Sequence, residues 1–255
     1  MSKRKIFYVL PLMILLIMCS SKLSANADVT FHAEWDFILK KYVHAGKVDY
    51  NKIISTPVDL KRLNDYLTTL KSTEVSLLSR DERLAFWINA YNAFTIKLIL
   101  NHYPLKSIKD IKDPWKQKLW YSGNEKLSLD DIEHIKLRKE FKEPRIHFAI
   151  VCASIGCPDL YPEAFEKDNI EQLLNRVSQH FFAEPRNFQL KASGKISKIY
   201  LNRIFKWFKS DFGKDDKQIV EFILPYVQKQ ERDIINASDD VTIKYLNYDW
   251  SLNDR

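Results

Sequence analysis

Residues 84–100 read LAFWINAYNAFTIKLIL. Apolar side chains fall on nearly every face of a 3.6-residue period, so the stretch predicts a helix buried on all sides at the centre of a globular core. Just upstream, Ser79-Arg80-Asp81-Glu82 has the S-x-x-E spacing of a capping box, which starts that helix. Pro104 ends it shortly after His102. Asn89, Asn92 and Lys97 interrupt the apolar run, so it does not read as a membrane span. Buried amides must find hydrogen-bond partners. Asn89 and Asn92, on one face with Glu82, are therefore expected to pin a loop to the helix, to support a site or to touch substrate.

Outward from this helix, residues 30–43 carry Phe31, Trp35, Ile38 and Leu39 at helical spacing, broken by His44-Ala45-Gly46. Residues 59–70 repeat the period with Leu60, Leu63, Leu67 and Leu70. Two hairpins are predicted, 118–121 with 126–129 around Ser122-Gly123-Asn124, and 187–191 with 196–201 around Ser193-Gly194. Ser128-Leu129-Asp130-Asp131 opens a short helix carrying Glu133, and 145–151 reads as a buried strand. Asp168 and Glu171 make a second capping box, before Leu173, Leu174, Val177 and Phe181. Helices over 202–212 and 216–228 and a last strand over 241–250 complete an α+β pattern: a helical N-terminal part, then a small mostly antiparallel sheet.

The 255 residues are 45% hydrophobic and 29% charged, with 5 Gly, which excludes collagen-like, disordered and disulfide-scaffold chains. The formal charge of +7 is misleading. Lys3, Arg4, Lys5 and Lys22 lie in the first 27 residues, which hold no acid, so the remainder carries only +3. Without a basic cluster there is no electrostatic footprint for nucleic acid. That N-terminal segment reads as an address. MSKRK is basic, 6–18 is apolar but short for a span, and Ala25-Asn26-Ala27 suits signal peptidase. The expectation is a signal peptide over 1–27, a single domain over 28–255 with no membrane span, and a periplasmic or extracellular destination. Lipidation at Cys19 is the second reading, because Met18 is large where a small residue is usual.

The chemistry concentrates in residues 145–160, RIHFAIVCASIGCPDL. His147 sits in the apolar run, and Cys152 sits at its end among small residues, Ala153, Ser154 and Gly156, where backbone can turn tightly. A thiol beside an imidazole and free backbone N–H groups is what nucleophilic cysteine chemistry requires. The expected roles are Cys152 as nucleophile, His147 as base and Glu133 as the acid that orients the imidazole. Ser154 and the turn amides lie near the oxyanion, with Asn89, Asn92 and Arg145 in support. On a straight strand His147 and Cys152 would face opposite sides, so they meet only if the chain bends. Three other readings stay open: His147 as a satisfied core histidine, Glu133 as a surface acid balancing Lys136, and Cys152–Cys157 as a disulfide closing a short loop. His147, Cys152 and Cys157 lack the second Cys/His pair of a zinc site, and no metal or other cofactor is assigned.

Several of these segments recur together in a known family. FWINAYNAFTIKLIL (86–100), HYPLKSI (102–108), SLDDIEH (128–134), RIHFAIVCASIGCPDL, IFKWFKSDF (204–212) and YDWSLN (248–253) resemble the bacterial domain of unknown function 547 family over residues 35–253. The resemblance implies export, since many members look exported. It also implies a fold-level relation to papain-like or transglutaminase-like cysteine hydrolases. Some relatives carry Ser where this chain has Cys157, which points to Cys152 as the reactive thiol. The resemblance implies no substrate. The reading is therefore an exported cysteine-dependent hydrolase or acyltransferase acting on an amide- or peptide-type bond. The alternative is a non-catalytic envelope domain stapled by Cys152 and Cys157.

Overall fold

The all-apolar run becomes the axis of the molecule. In the computed structural model, which describes residues 31–255, it lies within a long helix, α4 (Arg80–His102). Ser79 accepts from the Glu82 N–H, and the Glu82 carboxylate accepts from the Ser79 N–H, as the capping box requires. Sixteen of the seventeen residues from 84 to 100 are buried, all but Lys97, because α3 (Pro57–Ser72), α6 (Ile170–Ala183) and the helix that starts at Leu129 pack against α4 and cover it. α1 (Ala33–Tyr42) closes on α3 through Trp35 stacked on Tyr66. Early and late parts of the chain also meet, because Val48 donates to the Asn253 carbonyl and Tyr50 donates to the Asn253 side chain.

Both predicted hairpins form. β3 (Trp120–Ser122) pairs with β4 (Glu125–Leu127), and β5 (Phe188–Ser193) with β6 (Ile196–Leu201), each through a glycine at positive φ, Gly123 and Gly194. β7 (Asp240–Tyr245) adds to β6 in parallel, so the three-stranded sheet is mixed. The fold is α+β with small sheets. No helix among the described residues is long and apolar enough to cross a membrane. The expected signal peptide and Cys19 lie outside the described residues.

Four expectations need correction. Residues 145–151 are not a strand. Pro144 begins a 3-10 helix, Pro144–Phe148, and the Glu143 carboxylate accepts from the Arg145 N–H. No strand is available to pair with this segment, and a side chain, Asn92, takes the role of ladder partner. The 168–171 capping box does not form. Asn169 is the residue before α6, and its amide oxygen accepts from Glu166 instead. The helix expected over 202–212 breaks at Phe208 into α7 (Ile204–Trp207) and α8 (Lys209–Phe212). The last strand ends at Tyr245, and residues 246–250 run on as irregular chain.

Candidate active site

Position in this site begins with an amide. Asn92 Nδ2 donates to the Ala149 carbonyl at 2.9 Å, and Asn92 Oδ1 accepts from the Val151 N–H at 2.9 Å. The buried face of α4 thus grips the chain one residue before Cys152. Asn89 grips Phe165 in the same two-point way. After Cys152, Ala153 takes φ +59°, a left-handed conformation that a non-glycine residue adopts at about 1 kcal/mol. The chain turns there, and the Ser154 N–H and hydroxyl face the Cys152 sulfur. The turn is clamped from outside. Arg186 donates to the carbonyls of Ile155 and Cys157, and Asn202 donates to the Gly156 carbonyl at 2.8 Å. Gly156 and Ile155 donate to the carbonyls of Asp249 and Ser251 in the C-terminal segment, both at 2.8 Å.

The thiol at this turn is unusual. Cys152 Sγ lies 2.6 Å from Cys157 Sγ and 3.1 Å from the Tyr248 hydroxyl. Both cysteines are free; a disulfide would bring the sulfurs to about 2.05 Å. The Cys157 thiol, the Tyr248 hydroxyl and Ser154 together outweigh burial and bring the Cys152 thiol down to about 7. Cys157 moves the other way. Burial, and then the neighbouring Cys152 charge, push it well above the usual thiol range, so it stays protonated and donates. The Ser154 hydroxyl is buried without a conventional hydrogen-bond partner.

His147 is placed by its neighbour in sequence. Phe148 enters an aromatic core, 4.5 Å from Phe181 and 5.8 Å from Phe212 between ring centres. That turns His147 onto the Phe208 ring, stacked at 4.2 Å. Its Nε2 donates to Asp211 Oδ2 at 2.8 Å. Arg138 holds the same carboxylate with two bonds, Nε to Oδ2 at 2.5 Å and Nη2 to Oδ1 at 2.8 Å. Burial alone would raise Asp211, but the bonds from Arg138 and His147 hold it far below the usual carboxylate range. Burial lowers the His147 imidazole, so at neutral pH it is uncharged with the proton on Nε2. The lone pair on Nδ1 faces Glu133 Oε1 at 3.8 Å. Glu133 is buried, and burial first, then the Cys152 charge, push its carboxyl up to about 8. Tyr91 donates to its other oxygen at 3.5 Å.

Cys152, Cys157, His147 and Glu133 line one cleft of about 220 Å³ with Tyr248 and Trp207. Over α4 and the segments that carry Glu133, His147 and Cys152, residues 75–182, the sequence matches the family model described as "Protein of unknown function, DUF547". Residues 75–182 form a DUF547 family domain. No curated protein and no solved structure matched the chain.

The DUF547 domain supplies the thiol, the imidazole and Glu133, whereas Trp207 and Tyr248 reach the cleft from beyond it and Asp211, also beyond it, bonds the imidazole. Four site expectations change with this geometry. Asp211, not Glu133, is the acid bonded to the imidazole, and Glu133 faces the opposite ring nitrogen. Arg145 is not in the cleft lining; it pairs with Glu143 at 2.6 Å and Glu171 at 3.0 Å. Four of the turn amides are taken: Cys152 N–H donates to Cys157 Sγ, Cys157 N–H to the Ser154 carbonyl, and Ile155 and Gly156 to the C-terminal segment, while the Ser154 N–H faces the Cys152 sulfur. His147 and Cys152 share the cleft without a hydrogen bond between them: the imidazole bonds Asp211, and the sulfur faces Cys157 and Tyr248. Asp211 carried no local signal, because it lies 64 residues from His147 and 73 from Arg138. Tyr248 was visible only as part of the recurring YDWSLN segment. Among the described residues no group of three or more His, Cys, Asp and Glu is placed to hold a metal ion.

Proposed function

We propose that the chain is an exported cysteine-dependent hydrolase or acyltransferase acting on an amide- or peptide-type bond, with Cys152 as nucleophile. The observation that carries this reading is the sharing of one cleft by a thiol whose surroundings favour the thiolate and an imidazole locked to a carboxylate. The thiolate attacks the carbonyl carbon, and the carbonyl π pair moves to oxygen. The Tyr248 hydroxyl, kept protonated by burial and 3.1 Å from the sulfur, donates to that oxyanion. Glu133, protonated at neutral pH, gives its proton to the departing amine nitrogen as the C–N bond breaks. His147 Nδ1 then removes a proton from water. The resulting hydroxide attacks the thioester and expels the Cys152 thiolate. The imidazolium returns its proton to the Glu133 carboxylate, 3.8 Å away. The sum is amide plus water giving acid plus amine. An amine in place of that water gives acyl transfer.

A helical first half followed by a small sheet supports a papain-like or transglutaminase-like arrangement. Export is supported by the basic, apolar and small-residue succession in the first 27 residues. N-terminal sequencing of the secreted chain is expected to begin at Asp28.

The 2.6 Å approach of the two sulfurs favours the second reading, a non-catalytic domain with a Cys152–Cys157 disulfide. Intact mass after iodoacetamide separates the two. Catalysis requires a rapid single adduct at Cys152, and an acyl adduct on Cys152 from p-nitrophenyl acetate that clears by hydrolysis in the wild type and persists in His147→Ala and Asp211→Asn. A purified protein lighter by two hydrogens and refractory to both reagents would establish the disulfide instead.

A further inference from the structure

The chain is rich in bases, 40 Lys and Arg, yet among the described residues lining the cleft there is neither. The charged or ionisable lining groups are Asp130, Glu133, His134, His147 and the two thiols. His147 and His134 are both shifted down by burial, so neither adds positive charge at neutral pH. The rest of the wall is largely aromatic: Tyr91, Trp115, Trp207, Phe208, Tyr248 and Trp250. Three of these rings form a corner. Trp207 meets Tyr248 at 4.8 Å and 60°, Tyr248 meets Trp250 at 4.5 Å, and Trp207 meets Trp250 at 5.7 Å. Trp207 is 44% exposed, an unusual outlay of apolar surface for the largest side chain. Rings of this wall already take cations. Lys109 Nζ lies 3.6 Å from the Trp250 centroid, and the Arg138 guanidinium lies 4.9 Å from that of Phe208.

We propose that this cleft seats an alkylammonium group of the substrate, held in the Trp207–Tyr248 corner with the Asp130 carboxylate as its counter-charge. Ring faces attract a cation through their quadrupole, and a nearby carboxylate adds to the attraction where water is excluded. Asp130 is held in place by its N–H bond to the Trp115 carbonyl at 2.9 Å. The lining offers an anionic acyl group no basic side chain, and the ring corner with Asp130 favours acyl compounds with a positively charged amine over neutral ones. The inference rests on the acyl-transfer reading for what the ligand is used for, but recognition itself does not need the thiol.

The test uses the full mature chain as Cys152→Ala, titrated at constant ionic strength with choline and with its uncharged isostere 3,3-dimethylbutan-1-ol. Quenching of tryptophan fluorescence is the readout. Choline is expected to bind saturably and about tenfold more tightly than the isostere. Asp130→Asn is expected to weaken choline severalfold and leave the isostere unchanged, and Trp207→Ala to weaken both, choline the more, with circular dichroism confirming that they fold. Equal or tighter binding of the neutral compound, no saturable quenching by choline, or an Asp130→Asn protein that binds choline undiminished overturns the proposal. Choline binding by Cys152→Ala, with a wild-type thiol that never takes an acyl group, would remove the enzymatic reading and leave the cation site standing.

Discussion

At the scale of single residues, the balance of protons in the cleft is set by burial and by three short contacts. The Cys157 thiol is the strongest of the groups that favour the Cys152 thiolate. Alkylation of Cys152 should therefore rise with pH through about 7 in the wild type, and in Cys157→Ala through a distinctly higher pH, measured as iodoacetamide rate against pH. Glu133 makes a prediction about stability. Its carboxyl sits near 8 in the folded chain and near 4.5 when unfolded, so the folded state binds more protons between those values. Its contribution is fully present below 4.5 and is lost as pH rises through 8. The loss has an upper bound of about 5 kcal/mol. Glu133→Gln keeps the shape of the neutral acid without ionising. It should match the wild type in thermal melts at pH 5 and exceed it at pH 8.5. Cys152, His147 and Glu133 could be picked out from sequence because a rare Cys-plus-His segment lies shortly after the helix that carries Glu133. Asp211 could not, since nothing about an aspartate near the end of a four-residue helix announces a partner 64 residues away.

At the scale of elements, two asparagines on α4 behave as fragments of a missing strand. Each amide offers one donor and one acceptor to an irregular segment, and so stands in for the ladder that 145–151 never makes. Asn92→Ala would strand the Ala149 carbonyl and the Val151 N–H in a buried setting. The expected loss is about 3 kcal/mol in urea denaturation, and the Cys152 turn should loosen with it, visible as faster exchange of the Val151 amide proton. The α4 helix itself was plain in the sequence, because hydrophobic periodicity and a capping box are local signals. The strand over 145–151 was misread for the complementary reason. An apolar run of that length looks the same whether its hydrogen bonds go to a strand or to a side chain, and only the packed neighbours decide.

At the scale of the whole molecule, the C-terminal segment acts as a strap. It runs from β7 across the cysteine turn, places Tyr248 on the sulfur, and returns through Asn253 to Gly46 and Val48 near the end of α1. Gly156 permits the crossing, since a Cβ there would lie 2.8 Å from Asp249 N and 2.9 Å from its carbonyl oxygen. Gly156→Ala should displace the strap, lower stability by about 2 kcal/mol and raise the pH at which Cys152 alkylates, as Tyr248 leaves the sulfur. Thermal melts and the same alkylation profile would check both effects. By itself the sequence determined the central helix, the two hairpins, the α+β class and the segment that bears the thiol, because period, caps and turn glycines act within a few residues of each other. Only the tertiary structure decided which acid holds the imidazole, what becomes of the turn amides and which rings wall the cleft. Most of those pairings join residues tens of positions apart, such as His147 with Asp211 at 64 and Cys152 with Tyr248 at 96, and no local pattern records which distant backbone or side chain will arrive to satisfy a buried polar group.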